Sequence, residues 1–196
     1  MRGRPLLVVG VALVLLAVGA AWYAVSFRPF PPETTPQGAY DRIALAVAER
    51  RTRDMFPYLE TDAQWAAYTV RDLRRDACAR VRASYPPAAA APLLDAWHEE
   101  GDAPDGSDLF ALEATRRGWI ARLERDLSGV DHVEIEGERA TVVTSRGTRY
   151  PFRLRDNGVW GLTIFTAELG AEAERAARDL DVVKHAAEDY DRARGD

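Results

Sequence analysis

Between His132 and Phe165 the chain alternates apolar and polar residues in four short runs. They are Val133 and Ile135; Ala140 and Val142; Tyr150, Phe152 and Leu154; and Trp160, Leu162 and Ile164. A period of two puts one face of each run against a core and turns the other to water or a second layer. The breaks carry turn formers: Gly137-Glu138, Arg146-Gly147 and Asp156-Asn157-Gly158. Asn157-Gly158 suits a tight hairpin best, because both residues tolerate positive φ. The pattern predicts a four-stranded antiparallel meander with helices before and after it, an α+β chain.

The flanking segments read as helices. Thr35-Pro36 is a helix start, with Thr as cap and Pro in the first turn. Tyr40, Ile43, Ala44 and Val47 follow at helical spacing, and Arg50-Arg51 closes the segment. Thr52 opens a short helix with Met55, Phe56 and Leu59. Thr61-Asp62-Ala63-Gln64 fits a capping box, and the helix after it runs to about Ser84. Tyr85-Pro86-Pro87 breaks it, Pro92 opens another helix, and Gly101 to Ser107 is a loop. A single long helix is predicted from about Asp108 to Leu127, ended by Ser128-Gly129.

After the sheet, Thr166 caps a helix running to about Arg192. Leu169, Ala173, Ala176, Leu180, Val183, Ala187 and Tyr190 form a heptad seam along it. The seam either packs on the chain's own elements or pairs with a second copy or a partner helix. In the second case Leu169, Leu180, Val183 and Tyr190 are the contact residues.

Leu6 to Phe27 carries no charge. At about 1.5 Å per residue it is long enough for the bilayer hydrocarbon. Arg2 and Arg4 precede it, Arg28 follows, and Trp22, Tyr23 and Phe27 lie near its outer end. Interfacial aromatics near its outer end favour a single-pass anchor, and two arginines plus the amino terminus before it, against one arginine after it, put the N-terminus in the cytoplasm. A cleaved signal peptide is the competing reading, with a small-x-small site at Ala24-Val25-Ser26. Both readings export the domain. No cysteine follows the apolar run, which excludes a lipoprotein anchor. The expected layout is an anchor over 1–28, a Pro-rich linker over 29–36, an α+β domain over 37–166 and an amphipathic helix over 167–196.

The formal net charge of -5 argues against a nucleic-acid partner, which requires a basic face. Lysine occurs once, at Lys184, and asparagine once, at Asn157, against abundant arginine. That bias is the usage of a GC-rich genome and fits a bacterial inner membrane with the domain in the periplasm. One cysteine, Cys78, excludes an internal disulfide, and three scattered histidines give no metal-ligand spacing.

Two stretches carry a family resemblance. Tyr40 to Leu59 reads A-Y-x-R-I-x-x-A-V-x-x-R before a short F-P-Y-L helix, and the sheet ends D-N-G-V-W-x-L. Together they resemble the cone-shaped fold of the nuclear-transport-factor-two-like superfamily, in particular its exported bacterial members. The resemblance implies helices covering a curved sheet around a pocket, here lined by Tyr150, Phe152 and Trp160. The superfamily holds isomerases, dehydratases and hydrolases as well as non-catalytic binders, so fold alone does not assign an activity. An enzyme of this fold would use Tyr150 with Asp131 or His132 in an open pocket.

No serine-hydrolase elbow, phosphate loop, zinc-protease motif or dinucleotide fingerprint is present. The Asp102 to Asp108 loop lacks the alternate acids of a calcium loop and reads as a turn capping the next helix. Cys78 reads as a buried thiol. The expected role is non-catalytic, with no cofactor and no metal: binding a protein partner or a small apolar ligand at a membrane surface. A structural homodimer is the third expectation.

Overall fold

The computed structural model describes residues 30–195. Leu6 to Phe27 lies outside them. Among the described residues no helix is long and apolar enough to cross a membrane.

Helix α1 spans Pro36–Ala48. The Thr35 hydroxyl accepts the Gly38 N–H at 3.1 Å, so the cap read from Thr35-Pro36 is in place. The helix stops before Arg50-Arg51. Arg50 takes a left-handed conformation (φ 55), and Arg51 N–H turns back to Ala46 O at 2.8 Å. A 3-10 helix, Thr52–Tyr58, then buries Met55 and Phe56.

Helix α2 spans Thr61–Ser84, but its start is not a capping box. Gln64 Nε2 donates to the carbonyls of Phe56 (2.8 Å) and Leu59 (3.1 Å), and Thr61 Oγ1 accepts from Arg155. Helix α3 begins at Pro87 rather than Pro92 and runs to Gly101. The first proline after the break already supplies a preset φ and needs no donor. The single helix expected from Asp108 to Leu127 is two: α4, Gly106–Arg116, and α5, Trp119–Asp126. Gly118 separates them with φ 68, a backbone region that glycine enters without steric cost.

The sheet has the expected order. Strands β1 (Val130–Glu136), β2 (Arg139–Thr144), β3 (Arg149–Leu154) and β4 (Trp160–Leu162) pair antiparallel as neighbours. Gly137, Gly147 and Gly158, one in each turn, all have positive φ. The register sets Val133, Val142 and Tyr150 in one row and Ala140, Phe152 and Leu162 in the next. This is the inner face. It lies against α1 and the 3-10 helix, over a core that includes Tyr40, Ile43, Met55 and Leu59. Trp119 stacks on Phe165 at 4.7 Å beside Phe110, which closes the core at the helical end. Ile135 departs from the alternation rule: it lies on the inner face but is 59% exposed, because β1 is the outermost strand.

Helix α6 spans Thr166–Gly195 and packs along α2. Leu169, Ala176, Leu180, Val183 and Ala187 are all buried by the chain itself. Tyr190 is half-buried against the Tyr85 ring at 4.9 Å. The seam is therefore filled from within. Leu180→Asp is expected to lower the unfolding free energy by about 3 kcal/mol, through lost apolar burial and a buried charge. Urea denaturation reads that loss. A variant of unchanged stability but halved mass in sedimentation would instead make the seam intermolecular.

Candidate interaction surface

Tyr150, Phe152 and Trp160 stand together on the inner face, as the alternation implied, but they fill it. Their exposures are 4%, 2% and 5%. The Trp160 indole N–H donates to Thr34 O at 3.2 Å. The Tyr150 ring lies 5.4 Å from the Tyr40 ring, and Tyr40 donates its own hydroxyl proton to Ser128 O at 2.6 Å. The Tyr150 hydroxyl is buried without a protein partner among the described residues. Burial, then the Tyr40 and Asp126 charges, push its pKa up to about 12. A phenol so placed holds its proton and packs as an aromatic. Tyr150→Phe is therefore expected to keep the fold and raise its stability by about 1 kcal/mol, the desolvation cost of an unmade hydrogen bond. A loss of more than about 1 kcal/mol in urea denaturation would show that the hydroxyl is bonded.

Asp131 and His132 are elsewhere. Asp131 sits at the register shift on β1, and His132 shares its row with Val143 and Arg149 on the outer face. The sheet itself separates His132 from Tyr150. Of the two partners expected for Tyr150 in an enzyme of this fold, His132 is not brought to it. Instead His132 bonds Asp131 at 2.8 Å and lies 3.4 Å from Glu134, whose carboxylate also takes both terminal nitrogens of Arg149. The hydrogen bonds to Asp131 and Glu134 hold the His132 pKa above its ordinary value, and the one from Arg149 holds Glu134 below its own. All four groups are solvent-exposed, and the cluster reads as a solvated ladder across the outer face.

A polar cleft of about 360 Å³ opens where α2 begins, lined by Glu60, Asp62, Arg139, Arg153, Arg155 and their neighbours. Three of its charged residues, Glu60, Arg153 and Arg155, are engaged in holding the chain together. Arg155 donates to Pro57 O (2.7 Å), Thr61 Oγ1 (3.2 Å) and Gln64 Oε1 (3.2 Å). Glu60 bridges Arg153 at 2.9 Å and accepts the Thr166 hydroxyl at 2.7 Å. Asp105 accepts the Ser107 and Asp108 N–H groups and caps α4, as its loop suggested. Cys78 is buried, and burial raises its thiol pKa. Among the described residues no three or more His, Cys, Asp or Glu side chains are grouped so as to hold a metal ion.

The largest charged cluster has no counterpart in the sequence reading. Arg74 on α2 is 3% exposed. It bonds Glu100 (2.9 Å), Asp179 (2.6 Å) and Glu172 (3.3 Å). Its guanidinium also lies 4.9 Å from the Trp97 ring centre. Arg116 reaches Glu99, Glu100 and Glu113, and Arg117 joins Glu113 to Glu172. Burial opposes the charge on Arg74, but the Asp179 bond and the Glu100 charge outweigh it and raise its pKa. The cluster clasps α2, α3, α4 and α6. Each carboxylate is already matched by arginine, so it reads as a structural lock.

The two margins of the sheet differ. At the β4 margin, Leu59 forms a parallel bridge with Leu162, and Glu60 N–H donates to Leu162 O at 3.1 Å. At the β1 margin no other described segment is bonded to the strand's outer side. No family model, curated protein or solved structure matches the chain.

Proposed function

We propose that this chain is a non-catalytic interaction domain, held at a membrane surface by Leu6–Phe27 and presented outside the cytoplasm, in a bacterial envelope. The observation that carries the reading is the filled interior: Tyr150, Phe152 and Trp160 occupy the space in which a cone-shaped fold would hold a substrate or a small apolar ligand. A scaffold with its interior packed acts through its outer surface. That favours a protein partner over a bound small molecule and over the isomerase, dehydratase or hydrolase chemistry found among cone-shaped folds. The uncharged N-terminal segment and the arginines before it support the placement.

Protease added to spheroplasts tests the placement. The domain is expected to be cut from outside, while the uncut chain stays with membranes through an alkaline wash. Protection from protease in intact spheroplasts, with cutting only after lysis, would put the domain in the cytoplasm and overturn the reading.

A further inference from the structure

The two edges of the sheet are treated differently by the chain. The β4 edge is closed from within by Leu59 and Glu60. The β1 edge is open over Val130–Glu136. Which backbone groups it offers follows from the register. Thr144 N–H donates to Thr148 O, and Leu154 N–H donates to Glu138 O, so even-numbered residues of β2 face β3. Odd-numbered residues of β2 therefore face β1, where their partners are His132, Glu134 and Glu136. Backbone direction alternates along an antiparallel strand. Val133 and Ile135 thus turn their N–H and C=O groups outward, with no bond to any other described segment.

The side chains on this edge sort by face. Ile135, 59% exposed, and half-buried Val133 lie on the inner side. Glu134 and Glu136 lie on the outer side, and Glu136 has no partner among the described residues. An added strand would meet apolar groups with one face and, with the other, Glu134, which already holds Arg149 and His132, and Glu136, which faces Arg139 in the register but forms no ion pair with it.

We infer that the β1 edge takes up an extended peptide segment of a partner protein, by strand addition, and that this segment alternates apolar with basic residues. This deepens the proposed interaction role and rests on it. Main-chain bonds to Val133 and Ile135 supply the pairing, and side chains on alternate faces supply the selection. The same carboxylates oppose two of the three registers open to a second copy of this chain. Pairing Val133 with Ile135 of a copy sets Glu134 against Glu134, and pairing Ile135 with itself sets Glu134 against Glu136. Pairing Val133 with itself sets His132 against Glu134, and is the register a copy would take.

Residue-resolved amide hydrogen exchange on the full-length chain in mild detergent tests the inference. The probes are blocked peptides of alternating valine and arginine, or of alternating valine and glutamate. At about ten times its Kd the arginine peptide is expected to slow the Val133 and Ile135 amides about tenfold, with the glutamate peptide without effect. Ile135→Pro should abolish Val133 protection, because proline removes an outward donor and leaves the bonds to β2 in place. Glu136→Arg, which asks nothing of the backbone, should shift the preference towards the glutamate peptide.

Unslowed amides at saturating arginine peptide would overturn the inference, as would an unshifted preference in Glu136→Arg. Protection that grows with protein concentration without peptide would assign the edge to a second copy and overturn it too. Each of these removes the edge alone. A small molecule retained by the same chain in native mass spectrometry would instead remove the interaction reading beneath it.

Discussion

Arg74→Met loses about 3 kcal/mol of unfolding free energy, measured by urea denaturation. Removing one member of a buried ion pair costs about 3–5 kcal/mol, because the partner charge stays out of water. The lower end applies here. Glu100 keeps Arg116, and Glu172 keeps Arg117 and Arg175, so the carboxylates lose part of their compensation and not all of it. Methionine replaces the volume but not the contact with the Trp97 ring. Asp179→Asn is the contrast: that side chain is one-third exposed, and its loss should stay near about 1 kcal/mol. Equal effects at the two positions would mean that burial does not set the strength of this cluster.

Gly161→Ala is expected to cost about 3 kcal/mol, at the upper end for overpacking. A Cβ at Gly161 would stand 2.6 Å from Glu60 Cα, 2.7 Å from Glu60 N and 2.8 Å from Leu59 O. These are backbone atoms, so no rotamer change relieves the clash. The closed edge of the sheet must then open or shift, and the Glu60 N–H bond to Leu162 goes with it. Gly129→Ala meets nothing within 4 Å and should change stability by less than about 1 kcal/mol. Thermal unfolding of the pair separates close approach from the general effect of adding a methyl group.

The parts of this fold that were legible in the sequence are those set by near neighbours. The meander was readable because each turn carries a glycine that the backbone does require, at Gly137, Gly147 and Gly158. The α6 seam was readable because heptad spacing is local, although spacing alone could not say whether α2 or another chain fills it. Ile135 was misjudged because alternation describes a strand and not its place in the sheet. The break of the long helix at Gly118 was not legible, because the apolar spacing from Leu109 to Leu123 continues across it. The capping box failed through distant competition: Arg155 is 94 residues from Thr61 and takes its hydroxyl. Arg74 and Glu172 are 98 residues apart, and no local pattern marks such a pair. As for the site, Tyr150, Phe152 and Trp160 were placed on the correct face, but spacing carries no information on whether a space is filled.

A filled interior is the premise on which the functional reading stands, and native mass spectrometry of residues 32–196, which contain the whole described core, tests it most directly. The expected result is the bare polypeptide mass, in one copy or more. A small molecule retained in stoichiometric amount, and lost from a Trp160→Ala or Phe152→Ala variant that still folds, would contradict it and return the chain to the carriers or enzymes.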